Sequence, residues 1–271
     1  MPGISFITTC MGRLDHLQKS LPTWKVQPNS EIVVVDYSCP QRSGDWAEAT
    51  HPGVKVVRME GEPHFNRCRA RNAGAGAASG GWLCMVDADV LLAPDFTATV
   101  EPLLEAVCFY RAEQGAAIDL VGTALISRSA FDAVGGYDEV MEGWGAEDHD
   151  LYIRLQHTGQ RLAPFPARLL KSIPHGDELR TQNAAIRDCN LGWNVNRLYI
   201  EGKVSLWRML GVPPALETRR SLYNLVRRAV MEGAAQKEVR IELSLEQGPR
   251  VTGANVRYSV VLTLKDPTDG G

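Results

Sequence analysis

Several features that often decide how a sequence is interpreted are missing from these 271 residues. No run approaches the ~20 consecutive apolar residues of a membrane-spanning helix. The N-terminus has neither the basic nor the long apolar segment of a secretory signal. The six cysteines form no Cys-x-x-Cys pair and no zinc-ligand spacing. We therefore expect a cytoplasmic chain without a membrane span, whose cysteines are buried free thiols rather than disulfides or catalytic groups.

A strong excess of charge of either sign is also missing. The formal net charge is −3, from 29 Lys and Arg against 32 Asp and Glu. Nothing therefore favours nucleic acid or an anionic membrane as a partner. Hydrophobic residues make up 44% of the chain and charged residues 23%, which is typical of a globular protein. The length fits one α/β domain, or one such domain with an appendage.

The first third of the chain alternates between strand-like and helix-like patterns. Predicted strands cover residues 4–9, 31–38, 54–59 and 82–90. Predicted helices cover residues 13–21, ended by Pro22, and 65–79. Near-continuous β-branched runs, as in 31–38, are typical of strands buried on both faces of a parallel sheet. The fold class is therefore predicted to be α/β, with a mostly parallel, Rossmann-like sheet flanked by helices. Its ligands should bind at the carboxyl ends of the strands.

The rest of the chain is predicted to be mainly helical. Helices are expected over residues 96–109, 130–134, 147–158, 181–201 and 219–232, with one strand over 119–127. Residues 238–245 and 255–264 alternate apolar and polar side chains around a Gly-Pro pair, which predicts an antiparallel hairpin. We therefore divide the chain into a main domain, 1–205, and a C-terminal helical segment with a β-hairpin appendage, 206–271. The hairpin is expected either to pack on the core or to join two copies into a homodimer.

Two carboxylates, Asp87 and Asp89, end the apolar run that begins at Trp82. Because strand side chains alternate, both acids would lie on one side and could reach a single cation. Hard divalent cations take carboxylate oxygens and keep positions open for substrate phosphates. Asp-x-Asp also occurs in ordinary turns, so other residues must decide. Asp36 ends a neighbouring predicted strand at the same sheet edge, which favours a ligand site there.

A helix with three arginines precedes this pair of acids. Arg67 and Arg71 are four residues apart, so they would share a face that points at a phosphate, whereas Arg69 would point elsewhere. A dinucleotide-binding motif at Gly74-x-Gly76 is the competing interpretation. It fails because no strand directly precedes it and the third glycine is missing. A solvated basic helix face remains the other alternative.

A second group of acids, Glu147, Asp148 and Asp150, follows a Gly-Trp-Gly segment. Acids are favoured at helix N-termini for capping and dipole reasons alone, but three of them exceed what a cap requires. Trp144 offers a flat indole face for a sugar ring, and one carboxylate could act as general base toward a sugar hydroxyl. His175 follows later in the chain, and imidazole suits Mn²⁺.

In this order, the motifs resemble those of glycosyltransferases of the GT-A fold. They are the Val-Val-Val strand before Asp36, Ala-Arg-Asn-x-Gly at 70–74, Val-Asp-Ala-Asp at 86–89, Gly-Trp-Gly-Ala-Glu-Asp at 143–148 and His175. The front half is similar to family 2. The Gly-Trp-Gly-x-Glu-Asp stretch is similar to the β-1,4-galactosyltransferase group and to the glycosyltransferase domains of bacterial chondroitin polymerases. The resemblance covers about residues 4–177 and leaves out the hairpin.

The resemblance implies a site for a UDP-sugar and a divalent cation, and a role for each matched residue. The residues implied to bind the nucleotide sugar are Thr8, Arg13, Asp36, Arg71, Asp87 and Trp144. The implied ligands of Mn²⁺ or Mg²⁺ are Asp89, His175 and, beside the ribose, Asp87. Glu147 would hold the acceptor sugar, and Asp148 would be the catalytic base. His149 stands where some relatives carry another acid.

The implied function is transfer of a sugar from a UDP-sugar to a hydroxyl of a saccharide or other acceptor, with inversion, in polysaccharide biosynthesis. Retention is the alternative within the class, because polypeptide N-acetylgalactosaminyltransferases carry a similar Gly-Trp-Gly-x-Glu stretch. A non-catalytic nucleotide-sugar-binding protein is a second alternative. A nucleotidyltransferase is disfavoured, since residues 8–13 hold one glycine and one arginine rather than a glycine-rich basic loop. The donor sugar, the acceptor and the metal stay open.

Overall fold

The computed structural model describes residues 3–113, 118–232, 238–246 and 257–265 of the chain. It divides into two compact units. The first comprises Met1–Glu139 and Glu147–Ala185, and the second comprises Val140–Ala146 and Ile186–Gly271. The domain boundary expected near residue 205 stays a prediction.

Strands and helices alternate along the first unit. Its strands are β1 (Ile4–Cys10), β2 (Ser30–Tyr37), β3 (Lys55–Met59), β4 (Trp82–Met85), β5 (Val90–Leu92), β6 (Cys108–Ala112), β7 (Ala124–Ser127), β8 (Arg161–Phe165) and β9 (Leu170–Ser172). Its helices are α1 (Leu14–Lys25), α2 (Ser43–Thr50), α3 (Arg67–Ala77), α4 (Phe96–Val100), α5 (Arg128–Ala133), α6 (Glu147–His157) and α7 (Glu178–Thr181). Short 3₁₀ turns cover Glu101–Leu103, Ile118–Leu120 and Ala167–Leu169.

Seven of these strands form one sheet in the order β3-β2-β1-β4-β7-β6-β8. Strands β1 to β4 are parallel, β7 is antiparallel to both of its neighbours, and β8 is parallel to β6. The predicted α/β class with a mostly parallel sheet flanked by helices is therefore confirmed. Every residue of β1 is buried, as expected for a strand covered on both faces.

Strands β5 and β9 form a separate antiparallel ribbon. The backbone N–H of Ile173 extends this pairing by donating to the C=O of Asp89 over 2.7 Å. The ribbon therefore brings the segment that carries Asp89 beside the segment that leads to His175, although the two residues are far apart in the sequence.

The helix α1 does not end at Pro22, contrary to the prediction, but continues to Lys25. Leu21 and Trp24 are fully buried on its inner face, and the indole N–H of Trp24 donates to the C=O of Val90 over 2.9 Å. Burial of this face outweighs the helical hydrogen bond that the proline cannot donate.

The strand predicted over 82–90 is shorter, because β4 ends at Met85. Residues 87–90 form a turn in which the N–H of Val90 donates to the C=O of Asp87 over 3.0 Å. Asp87 and Asp89 therefore do not alternate along a strand, and the argument that strand period places them on one side is wrong.

Three other predicted elements differ from the structure. The predicted helix 96–109 is α4, a 3₁₀ turn and the start of β6, and the predicted strand 119–127 is reduced to β7. The predicted helix 181–201 is α7 and a separate long helix that begins at Cys189. A short apolar segment has no periodicity that distinguishes a strand from a helix. Its secondary structure therefore depends on whether neighbouring strands are available to pair with it. All six cysteines are free, as predicted, and five of them are buried.

The second unit contains α8 (Cys189–Leu210), α9 (Leu216–Glu232), β10 (Glu238–Glu246) and β11 (Arg257–Lys265). Strands β10 and β11 pair antiparallel from Glu238 opposite Lys265 to Glu246 opposite Arg257, which confirms the predicted hairpin. The connection between the two strands, 247–256, lies outside the described residues, as do residues 266–271, for which the sequence predicts a flexible end. Among the helices that are described, none has the length and apolar character of a membrane span.

Candidate active site

The helix α3 presents its arginines to two sides, as their spacing predicts. Asn66 caps the helix by accepting the backbone N–H of Arg69 over 3.0 Å. Arg67 and Arg71 both contact the carboxylate of Glu147, each with 3.3 Å between Nη1 and Oε1. Arg69 instead pairs with Glu62, with 2.7 Å between Nη2 and Oε1. One face of α3 is thus directed at the start of α6.

Arg71 is the centre of a buried ionic cluster. Its Nη1 donates to Oδ1 of Asp148 over 2.7 Å and to Glu147, while its Nη2 donates to Oδ1 of Asp87 over 2.9 Å. The residue is 2% exposed. A buried guanidinium requires such partners, since removing it from water without them is very costly. The structure thus joins Asp87 after β4 to the acids of α6.

The cluster holds three carboxylates but only two guanidinium groups, those of Arg67 and Arg71. Burial and the nearby Glu147 and Asp87 carboxylates raise the pKa of Asp148 to about 6, although Arg71 opposes the shift. The pKa of Asp87 is instead lowered, because Arg71 and Arg67 outweigh the effect of burial. The pKa values of the two aspartates are therefore shifted in opposite directions. Asp148 is the aspartate suited to accept a proton near neutral pH.

The two oxygens of Asp148 have different surroundings. Oδ1 accepts from Arg71 and also from the phenol of Tyr137, over 3.1 Å. Oδ2 lies beside Gly122, on which a Cβ atom would stand 3.1 Å from it and 3.2 Å from Oδ2 of Asp87. A methyl group at this position would lie closer to both carboxylates than ordinary van der Waals contact, so glycine lets the backbone approach them closely.

A second polar cluster surrounds Asp89. Its Oδ2 lies 2.6 Å from Nε2 of His175 and 3.3 Å from Nη1 of Arg13. Nδ1 of His175 lies 3.0 Å from the C=O of Gly176, an arrangement that orients the ring with Nε2 toward Asp89. Arg13 also donates to the C=O of Leu179 over 2.8 Å.

The Asp89–His175 pair fits a divalent cation. A carboxylate oxygen and an imidazole nitrogen are both ligands of Mn²⁺, and they come from adjacent segments of the β5–β9 ribbon. Among the described residues, no group of three or more His, Cys, Asp and Glu side chains could hold a metal ion. Asp87 contacts Arg71 rather than this pair. The remaining coordination positions would therefore belong to water or to a phosphate-bearing substrate.

The other predicted nucleotide-binding residues lie in different settings. Both oxygens of Asp36 accept backbone N–H groups, from Cys39 over 2.9 Å and from Gly44 over 2.6 Å. Thr8 is buried in β1, and its hydroxyl has no hydrogen-bond partner among the described residues. Trp144 belongs to the second unit, where its ring centroid is 6.4 Å from that of Trp193. The nucleotide-sugar contacts of these residues stay predictions.

Three contributors to the site were missed in the sequence. Tyr137 bonds to Asp148, Asn72 holds the backbone of Tyr137, and Gly122 lies against the carboxylates. Asn72 directly follows Arg71 in the Ala-Arg-Asn-x-Gly motif, and Tyr137 follows two glycines, so signals existed for both. Nothing near Gly122 in the sequence marks it as part of a site.

Family models match two consecutive stretches of the chain. Residues 5–117 match "Glycosyl transferase family 2", and residues 117–176 match "N-terminal domain of galactosyltransferase". The chain is a family 2-like glycosyltransferase of the GT-A fold. The two matches meet between β6 and β7, so the first covers β1 to β6 with Asp87 and Asp89, and the second covers Asp148 and His175.

Solved structures share the fold of this glycosyltransferase at low sequence identity. Mannosyltransferase PcManGT from Pyrobaculum calidifontis, in complex with GDP-Man and Mn²⁺, is 17% identical with a TM-score of 0.56, over 87% of this chain and 76% of that one. S. aureus TarS 1–349 with UDP-GlcNAc is 13% identical with a TM-score of 0.59, over 83% and 70%. The catalytic domain of Drosophila β1,4galactosyltransferase 7 with xylobiose is 16% identical with a TM-score of 0.50, over 70% and 77%.

Proposed function

We propose that this glycosyltransferase moves a sugar from a UDP-sugar to a hydroxyl group of a saccharide acceptor, with inversion at the anomeric carbon. The observation that carries the proposal is Asp148, a largely buried carboxylate with a raised pKa and one oxygen beside a glycine. Such a group is suited to remove a proton from a hydroxyl near neutral pH. The complex of TarS with UDP-GlcNAc supports a UDP-sugar as donor. Because PcManGT binds GDP-Man, GDP-sugars are the donors to compare.

In the proposed reaction, Asp148 is the base. The acceptor hydroxyl gives its proton to Asp148 while its oxygen forms a bond to the anomeric carbon. The bond from that carbon to the diphosphate breaks on the opposite face, and its electron pair leaves with the diphosphate. Glu147, held by Arg67 and Arg71, is proposed to bind the acceptor sugar.

The donor is proposed to bind along the carboxyl ends of β1, β2 and β4. Asp89 and His175 would hold Mn²⁺ or Mg²⁺, which when bound offsets the charge of the diphosphate. Arg13, which contacts Asp89, is proposed to bind the same diphosphate. Asp87 is proposed to lie by the ribose, while Arg71 orients Asp87 and Asp148 in addition to its predicted contact with the nucleotide.

A donor screen tests the substrate class. Uridine and guanosine diphosphate sugars are incubated with Mn²⁺ and the protein, and release of the nucleoside diphosphate is measured with and without saccharide acceptors. We expect release from at least one UDP-sugar and none from the GDP-sugars. The anomeric configuration of the isolated product, read by NMR coupling constants, distinguishes inversion from the retaining alternative. A product with the anomeric configuration of the donor would contradict the inverting mechanism.

The base is tested by Asp148→Asn. The amide keeps the shape of the side chain but cannot take the proton, so we expect turnover to fall about 10²–10⁴-fold. Binding of UDP, measured by calorimetry, should change little. Asp132→Asn is the matched control, because this carboxylate is exposed on α5, and it should keep full activity. Full activity of Asp148→Asn would exclude the proposed role.

A further inference from the structure

Tyr137 is a buried residue to which the proposed reaction gives no role. It is 2% exposed, and its phenol donates to Oδ1 of Asp148 over 3.1 Å. Its ring faces the guanidinium of Arg71, with 5.1 Å between Cζ and the ring centroid. A buried tyrosine hydroxyl usually finds a hydrogen-bond partner somewhere. Here that partner is the proposed base.

The backbone of Tyr137 is also held firmly. The side chain of Asn72, on α3, accepts the N–H of Tyr137 over 2.8 Å and donates to its C=O over 2.9 Å. Arg154, on α6, donates to the C=O of the preceding Gly136 over 2.6 Å. Since α6 also carries Asp148, the phenol is placed against the carboxylate by contacts from both helices. This precision exceeds what filling a core position requires.

The contacts of Asp148 are confined to one of its oxygens. Oδ1 accepts both Arg71 and Tyr137, whereas Oδ2 accepts no hydrogen bond from the described residues. Two donors on Oδ1 fix the carboxylate plane, so the lone pairs of Oδ2 have a defined direction. An unbonded oxygen with a fixed orientation is the one available to an incoming hydroxyl.

We propose that Tyr137 is a positioning residue, which with Arg71 holds Oδ1 of Asp148 so that Oδ2 receives the proton of the acceptor hydroxyl. The inference rests on the proposed role of Asp148 as base. The O–H bond of the acceptor breaks toward Oδ2 as the acceptor oxygen bonds to the anomeric carbon, and the leaving diphosphate takes the electron pair of the broken C–O bond.

The first test is Tyr137→Phe, which deletes the phenol O–H and keeps the ring beside Arg71. We expect kcat to fall about tenfold to a hundredfold, because a positioned hydrogen bond to a charged group is lost, while KM for the donor changes less than about twofold. Tyr110→Phe is the matched control. Its hydroxyl is also part-buried but bonds to the backbone of Glu105 and Leu103, so kcat should stay unchanged.

The pH dependence of kcat in Tyr137→Phe distinguishes a positioning role from a general loss of structure. The charged and titratable groups that face Asp148 are Arg67 and Arg71 on α3, Asp87 after β4, Glu147 and Tyr152 on α6, and Tyr137 itself. Only Tyr137 changes in the variant. Removing a donor from the carboxylate disfavours its charged form, so the acid limb of kcat should move to higher pH by about one unit.

The second test places Tyr137→Phe in an Asp148→Asn background. If the phenol acts through the carboxylate, the second substitution should lower the residual kcat by less than about twofold. An equal loss in both backgrounds would overturn the inference, as would unchanged kcat and acid limb in the single variant. Those results would leave Asp148 as base. Full activity of Asp148→Asn alone would instead overturn the proposed function.

Discussion

At the scale of single residues, a carboxylate beside a guanidinium ordinarily loses its proton more easily, yet Asp148 keeps its proton to an unusually high pH. Burial is the main cause of this raised pKa, together with the nearby Glu147 and Asp87 carboxylates. Arg71 contacts all three acids and opposes the shift at Asp148 without reversing it. At Asp87, Arg71 and Arg67 outweigh burial, so its pKa is lowered while that of Asp148 is raised. Arg71 thus opposes the effect of burial at both aspartates, and this effect is overcome only at Asp87.

This balance predicts the pH dependence of the reaction. Asp148 must be ionised to act as base, and its pKa is raised to about 6. The ionised fraction is therefore nearly complete above pH 7 and falls about tenfold per unit below pH 6. We expect kcat/KM, measured at constant ionic strength between pH 4.5 and 8, to follow this curve. A profile that stays flat down to pH 5 would show that a group with an ordinary aspartate pKa limits the rate.

The sequence identified the charged residues of the site better than their arrangement. Asp148, Asp89 and His175 were predicted from motifs, and the structure brings Asp89 to His175 and Asp148 to Arg71. Gly122 could not be predicted in the same way, and the two glycines before Tyr137 mark a loop but do not indicate its contact with Asp148. Their parts depend on distances between segments far apart in the chain, and neither residue type indicates such a contact by itself.

At the scale of elements, α3 has two functions that share one short helix. Arg67 and Arg71 reach the acids, and Gly74, which the spacing of three residues from Arg71 places on the same face, packs onto the sheet. Gly74 makes the second function possible, because a Cβ there would stand 2.5 Å from Cγ2 of Ile7 and 2.9 Å from Cγ2 of Val35. The glycine therefore sets how closely the arginines approach β4.

Two alanine substitutions in α3 test this packing. Gly74→Ala should destabilise the protein by about 1–3 kcal/mol, because the added methyl overpacks two buried side chains, and should lower activity by displacing Arg71. Gly76→Ala is the matched control, since nothing lies within 4 Å of its Cβ position, and it should be neutral or stabilise by up to about 1 kcal/mol. Urea unfolding of both variants is the measurement. Equal effects would mean that helix propensity, not packing, decides the result.

The elements that the sequence predicted correctly are those with long, regular patterns. The β-branched run of β2 and the apolar spacing of α6 led to the right type and nearly the right bounds. Short segments failed, as at β6, where the apolar residues match either period until β7 and β8 supply partners. At Pro22, burial of the surrounding helix overrode a reliable local signal.

At the scale of the whole molecule, binding of a ligand to the native state raises its stability by mass action. UDP with Mn²⁺ at about 100 times its dissociation constant adds about 2.7 kcal/mol, so we expect Tm to rise by about 5–10 °C. Asp89→Ala and His175→Ala should remove most of this shift, whereas Asp148→Asn should keep it. Differential scanning fluorimetry with and without EDTA is the measurement. An equal shift in EDTA would contradict a metal-assisted donor site.

The β5–β9 ribbon has a further consequence, which concerns how the molecule reaches its native state. Asp89 and His175 are separated by 86 residues, so their contact closes a very long loop, and we expect it to form after most of the sheet has been assembled. Affinity for a divalent cation should therefore appear late during refolding, after the signal from secondary structure. The cation would then serve as a reporter of completed topology, because an intermediate with β1 to β4 in place would still lack one of its two ligands.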